Sequence, residues 1–197
     1  MQRAVPYFIT ELLSLYNGMV LPHLQYCLMV WGDFQGGGNL TRGGLLLRHQ
    51  KRFAGLVAGK RGRYHATPIM AEHGMLKVGD LYRQQLRVHA WRFWNRQLPE
   101  NQAAMLSRVS EVHGYGTRSA RAGIHLASRD RQMVGYRVPT EWATLTDEQR
   151  GMGSLAGLKR GSRDGFLAGY RASVCGGCYV CMGEQRGLEE GREEQEE

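Results

Sequence analysis

The sequence predicts a mainly α protein: a small helical bundle followed by a loosely structured α segment with at most one or two short strands. Apolar residues recur every three or four positions over several stretches, which is the spacing of one helix face. Proline and glycine divide these stretches into lengths that suit short helices. A hydrophobic content of 42% in 197 residues is enough to build a buried core and argues against wholesale disorder.

The longest apolar stretch covers residues 12–31. Its apolar residues keep helical spacing on both sides of Pro22, which has no backbone N–H and interrupts a continuous helix. We therefore expect two short helices that meet at a bend at Pro22. Because Asn17, His23 and Gln25 lie in the middle of the stretch, a buried core is favoured over a membrane span.

Five further segments show helical spacing. They start at residues that favour a first turn, such as Thr67-Pro68, and stop where glycine or proline ends a helix, as at Gly74 and Pro99. We expect residues 133–138 to be the one strand, 139–145 to be a helical turn, and 110–132 to be an extended basic linker. The predicted helices are 39–58, 67–73, 81–97, 102–109 and 154–171.

Positive charge dominates the chain outside its C-terminus. The net charge is +8, yet the last fourteen residues hold seven Glu and two Arg. Residues 1–183 therefore carry 24 Lys and Arg against 11 Asp and Glu, and only four of these cations are Lys. The planar guanidinium of arginine suits phosphates and base edges, so this composition is typical of a nucleic-acid-binding protein. The alternative is a soluble basic protein whose charge is incidental.

Three of the four cysteines cluster near the C-terminus as Cys175, Cys178 and Cys181. Two-residue spacing allows neighbouring thiolates to bind one tetrahedral zinc ion. A structural zinc site needs a fourth ligand, which Cys27, a histidine or another chain would have to supply. Free or redox-active thiols are the alternative. This arrangement does not match a secreted disulfide framework, so we expect an intracellular protein, nuclear or cytoplasmic.

The motifs of common catalytic sites are missing from the sequence. Residues 55–61 (GLVAGKR) are one residue short of a phosphate-binding loop, and Arg61 stands where Ser or Thr would hold magnesium. Neither His-Glu-x-x-His nor Gly-x-Ser-x-Gly occurs. No two aspartates stand together in a strand–turn setting, as a two-metal polymerase centre requires. The sequence therefore encodes none of these catalytic centres.

A series of short motifs occurs in a characteristic order. They are LYNGMVLPHLQYC at 15–27, VWG at 30–32, LRHQKRF at 47–53, YHATP at 64–68, MLKVGDL at 75–81, NRQLP at 95–99, YGTR at 115–118 and YRVPTEW at 136–142, followed by the cysteine cluster. Over residues 3–181 this series resembles the region that follows the catalytic palm in non-LTR retrotransposon reverse transcriptases. Gly43-Gly44 departs from the apolar residues usual at that point.

The resemblance implies the thumb of such an enzyme, a helical bundle that grips the template–primer, and the segment beyond it. The fingers and the palm, whose aspartates bind catalytic magnesium, would lie upstream and are absent. A palm-bearing reverse transcriptase chain is therefore a candidate partner. The regions expected are a thumb-like helical bundle at 1–98, a post-thumb C-terminal segment at 99–174, the cysteine cluster at 175–181 and a disordered acidic tail at 182–197.

These observations favour a non-catalytic protein that binds RNA, DNA or an RNA–DNA hybrid through its phosphates, without membrane association. Arg83, Arg87 or Arg92 could instead merely solvate a helix face. The alternatives are a helical protein–protein interaction module with a zinc-binding cysteine cluster, or a retroelement remnant with no selected function. The candidate phosphate contacts are Arg48, Lys51, Arg52, Lys60, Arg61, Arg63, Arg83, Arg87, Arg118 and Arg121.

Overall fold

A computed structural model describes residues 5–32, 42–60, 64–112, 114, 123–128, 130 and 133–172. It confirms the mainly α class. Within these ranges, β pairing is limited to one antiparallel bridge between Arg108 and Ile124. The elements are α1 (Val5–Leu15), a π-helical segment (Tyr16–Val20), α2 (Leu21–Gln25), α3 (Leu28–Trp31), α4 (Arg42–Val57), α5 (Ala66–Glu72), α6 (Val78–Trp94), α7 (Glu100–Ala103), α8 (Val109–Val112), α9 (Val134–Ala143), α10 (Asp147–Arg150) and α11 (Leu155–Ala172).

The helix boundary lies elsewhere than predicted, because the helical backbone continues from Val5 to Gln25 without a break at Pro22. Pro22 lies in the first turn of α2, and the preceding turn widens so that the Leu21 N–H bonds the Tyr16 carbonyl. A widened turn accommodates a residue that cannot donate a hydrogen bond. The chain instead breaks at Cys27, whose backbone is left-handed with φ 49° and ψ 24°.

The strand predicted at 133–138 is also wrong, because this segment forms the first half of α9. Pro139 lies inside the helix and leaves the Gly135 carbonyl without its usual partner. The Ala127 N–H donates to that carbonyl instead, at 3.2 Å. Burial explains the helix: Val138 and Trp142, four residues apart, are 0% and 1% exposed and pack into the core.

The other helix predictions differ in accuracy. The segments predicted at 39–58, 67–73, 81–97 and 154–171 correspond to α4, α5, α6 and α11, with ends shifted by up to three residues. The helix predicted at 102–109 is instead divided into α7 and α8, and residues 104–108 between them are not helical.

Helix α6 is the centre of the main core. Helices α2, α3, α4, α9 and α11 all contact it. Its Leu86 and Trp91 belong to one buried cluster with Trp142 of α9 and Leu158 of α11, and Trp94 stacks on Trp142 with ring centroids 5.6 Å apart. Elements on both sides of residue 98, where we predicted a boundary between two regions, therefore share one core.

A buried glutamine sets the orientation of α4. Gln50 is 3% exposed, and its side-chain amide donates to the Tyr16 hydroxyl at 2.7 Å and to the Leu76 carbonyl at 2.6 Å. Its amide oxygen accepts from the Val78 N–H at 2.9 Å. These bonds join α4 to the π-helical segment and to the start of α6. With Gln50 held inside, the neighbouring residues Lys51 and Arg52 face outward.

In the part of the chain that the structure describes, every helix is too short or too polar to cross a lipid bilayer.

Candidate nucleic-acid interface

Three predicted contact residues share the outer face of α4. Arg48, Lys51 and Arg52 stand at positions i, i+3 and i+4, which places them side by side on one helix face. All three are exposed. Among the described residues, no carboxylate lies within ion-pair distance of any of them. Their charges are therefore available to a ligand.

A fourth predicted contact, Lys60, lies just beyond the end of α4. It is exposed, and its backbone N–H donates to the Gly55 carbonyl at 2.9 Å. Arg61 and Arg63 follow it and lie outside the described residues. The chain is described again from Tyr64, whose hydroxyl donates to the Lys51 carbonyl at 3.0 Å. Both residues that flank Arg61 to Arg63 are thus attached to the helix that carries the outer cations.

Glycine at position 55 makes the return of Tyr64 to α4 sterically feasible. A Cβ atom at this position would overlap the ring and hydroxyl of Tyr64. Since glycine weakens the interior of a helix by about 1 kcal/mol relative to alanine, its presence here is explained by this close approach. The contact holds Tyr64 against α4.

Arg87, also predicted to contact phosphate, is placed in the core instead. It is 8% exposed, and its Nε lies 2.7 Å from Oε1 of Glu141 on α9. The remaining guanidinium nitrogens face Ser162 and Thr144, each at 3.4 Å, and the group lies 4.7 Å from the centre of the Phe166 ring. Arg87 thus joins α6, α9 and α11, and its charge is compensated inside the protein.

Arg83 occupies an intermediate position one turn earlier on α6. Its side chain is 43% exposed, with Nε 3.2 Å from Oε2 of Glu141 and a second nitrogen 3.8 Å from Asp80. The two oxygens of Glu141 therefore accept from two arginines of the same helix face. This pairing makes Arg83 a weaker candidate for phosphate contact than the unpaired cations of α4.

Besides Arg61 and Arg63, five predicted site residues lie outside the described residues: Arg118, Arg121, Cys175, Cys178 and Cys181. Cys27, a candidate fourth zinc ligand, is described and exposed. Across the described ranges, no three His, Cys, Asp or Glu side chains come close enough together to hold a metal ion. The zinc site therefore stays a prediction.

Sequence reasoning missed a second basic surface on α11. Lys159, Arg160 and Arg163 line an open cleft of about 570 Å³ between this helix and the π-helical segment. The three residues are exposed, and none forms an ion pair with a described carboxylate. The sequence shows the cations of the helix but gives no signal for the cleft, because its opposite wall is more than 130 residues away in the chain.

Two buried tyrosines, Tyr16 and Tyr170, form hydrogen bonds between the helices. Burial raises the pKa of Tyr16, and its hydrogen bond with Gln50 partly opposes this effect. Burial also raises the pKa of Tyr170, and the neighbouring Asp80 carboxylate, which accepts a hydrogen bond from its hydroxyl, raises it further. Both phenols therefore stay neutral near pH 7 and act as hydrogen-bonding groups that hold the helices together.

Comparison with known proteins finds no protein-family model, no curated protein and no solved structure that matches this chain. The resemblance to the reverse transcriptase thumb therefore stays a prediction from the sequence motifs.

Proposed function

We propose that this chain is a non-catalytic nucleic-acid-binding protein, related to the thumb region of a retrotransposon reverse transcriptase, that contacts phosphates through the outer face of α4. The observation that carries the proposal is the set of free charges on this face. Arg48, Lys51 and Arg52 are exposed together, and no described carboxylate neutralises them. The proposal assigns the protein to the nucleus or the cytoplasm.

The proposed ligand is the phosphate backbone of RNA, DNA or their hybrid. The three cations cover about 6 Å along the helix axis, a length that spans neighbouring phosphates. Contacts to phosphate position a nucleic acid without reading its sequence, and each one releases condensed counterions. The proposal therefore predicts affinity that depends weakly on sequence and strongly on salt.

The test uses a pair of variants with equal changes in net charge. Lys51→Gln/Arg52→Gln removes two cations from the face, whereas Arg92→Gln/Arg96→Gln removes two exposed cations near the end of α6. For a blunt duplex, we expect the slope of log K against log salt concentration to become shallower by about 1.8 in the first variant, because each lost phosphate contact is worth about 0.9. An equal change in both variants would show that net charge, rather than this face, determines affinity.

A second candidate function is suggested by apolar side chains exposed on the N-terminal helices. Phe8, Met19, Tyr26 and Val30 are 62%, 61%, 75% and 83% exposed, and such surfaces occur where proteins bind one another. Titrations with RNA and DNA at two salt concentrations separate the two functions. Only the nucleic-acid function predicts saturable binding that weakens as salt rises.

A further inference from the structure

The cleft beside α11 combines features that the outer face of α4 lacks. It has a volume of about 570 Å³, which lies in the range of small-ligand sites. One wall is formed by the cationic side of α11, and the other by the π-helical segment and α2. Single π-helical turns inside helices occur frequently at functional sites. The π-helical segment in this wall therefore favours a binding site in the cleft.

Three cations and one carboxylate line the α11 side of the cleft. Lys159, Arg160 and Arg163 outnumber Asp164, so the wall has a net positive charge. Arg163 is held in position by the carbonyl of Gly74, to which its guanidinium donates at 2.9 Å. Lys159 and Arg160 have no described carboxylate within ion-pair distance. An anion at this wall would therefore meet two free charges and one arginine of defined orientation.

The rest of the cleft is lined by apolar and amide-bearing residues. Leu21, which is partly exposed, supplies apolar surface, while Asn17 and Gln25, four residues to either side of it, carry amides that both donate and accept hydrogen bonds. A nucleobase has the matching chemistry, because its faces are apolar and its edges carry donors and acceptors. Cations beside such a surface can bind the phosphate of a nucleotide, which is attached to the base through a sugar.

We infer that the cleft between the π-helical segment and α11 binds one unpaired nucleotide of a nucleic-acid strand. The phosphate of this nucleotide lies against Lys159 and Arg160, and its base lies on Leu21. This inference rests on the proposed function. A nucleotide within a strand fits better than a free one, because the cleft is open to solvent and a free small ligand usually needs 70–90% of its surface buried.

The cleft and the outer face of α4 belong to one hydrogen-bonded unit. Tyr16 lines the cleft and accepts from Gln50 at 2.7 Å, and Gln50 directly precedes Lys51 on α4. A strand that is paired on α4 and unpaired at its end would thus meet both surfaces on elements whose relative position is fixed. We assign paired phosphates to α4 and the unpaired nucleotide to the cleft.

The experiment compares two probes: a blunt RNA duplex of about one helical turn, and the same duplex with an unpaired oligoadenylate extension. The wild-type protein should bind the extended probe about tenfold more tightly, an advantage in the range of a single stacked and hydrogen-bonded base. Lys159→Gln/Arg160→Gln should abolish this advantage and leave the affinity for the blunt duplex unchanged. Circular dichroism and the thermal midpoint verify that this variant, which changes only exposed side chains, is folded.

The two proposals fail in different ways. If wild type binds the blunt duplex but gains nothing from the extension, or if the α11 variant keeps the advantage, the cleft does not hold an unpaired nucleotide and the α4 proposal stands. If the α11 variant loses affinity equally for both probes, its cations belong to the duplex footprint and the inference is overturned. Effective competition by free adenosine monophosphate would overturn the assignment to a strand. Lys51→Gln/Arg52→Gln should weaken both probes alike, and failure of the wild type to bind either probe would end the proposed function itself.

Discussion

Helices α4 and α6 both carry basic side chains at helical spacing, but they use them in opposite ways. On α4, Lys51 and Arg52 are exposed and unpaired among the described residues. On α6, Arg83 and Arg87 both bond the carboxylate of Glu141. The difference shows that helical spacing alone does not distinguish an arginine that binds a ligand from one that stabilises the fold. The deciding feature is a carboxylate that lies 54 residues from Arg87 in the sequence.

The largest expected effect comes from removing that carboxylate. Glu141→Gln leaves the buried charge of Arg87 without its counterion, and breaking a buried pair from one side costs about 3 kcal/mol or more. We expect the free energy of unfolding, measured by urea denaturation, to fall by about this amount. Glu72→Gln, which removes an exposed carboxylate, should change it by less than about 0.5 kcal/mol. Equal stabilities of the two variants would contradict a structural role for the α6 arginines.

The next effect tests the packing of Tyr64 on α4. In Gly55→Ala the new methyl group overlaps Tyr64, and overpacking of this kind costs about 1–3 kcal/mol. The matched control is Gly169→Ala in α11, where a Cβ atom meets nothing within 4 Å and alanine should stabilise the protein by about 0.5–1 kcal/mol. Thermal denaturation measures both. If the two variants are equally stable, Tyr64 does not pack on α4 as described.

The smallest effect concerns the pH dependence of α6. Burial lowers the pKa of His89, and the charge of Arg92 lowers it further. The unfolded chain, with a histidine pKa of about 6.5, therefore takes up a proton first as the pH falls. Stability contributed by neutral His89 is fully present above about pH 6.5 and is lost below it. In His89→Gln, the urea midpoint should vary less with pH between about pH 7 and about pH 5.5 than it does in the wild type. An unchanged pH dependence would show that the His89 side chain is exposed to solvent.

Much of the fold was predictable because apolar spacing and helix-ending residues are local signals. Helices α4, α5, α6 and α11 follow from them. The segment around Val134 and Val138 misled the prediction, because β-branched residues before a proline are typical of a strand. Its helical structure depends on packing against α6 and on the bond from Ala127 to the Gly135 carbonyl, neither of which the local pattern encodes.

The candidate site was predictable only in part. Exposure of Arg48, Lys51 and Arg52 follows from the amphipathic pattern of α4. Burial of Arg87 does not, because it depends on Glu141, Ser162 and Thr144 from two later helices. The cleft beside α11 was missed for the same reason, since its walls meet only in the folded chain. Amino-acid composition does not show which charged residues, distant in the sequence, will pair in the folded protein.

The most direct measurement of the central claim is chemical acetylation of lysines with and without a blunt duplex. The chain has four lysines, at positions 51, 60, 77 and 159. Lys77 is the internal control, because its amine lies over the Tyr170 ring, 4.4 Å from the centroid. We predict that the duplex slows acetylation of Lys51 and Lys60 and leaves the rate at Lys77 unchanged. Unchanged rates at Lys51 and Lys60, under conditions where the duplex is bound, would contradict the assignment of α4 as the contact surface.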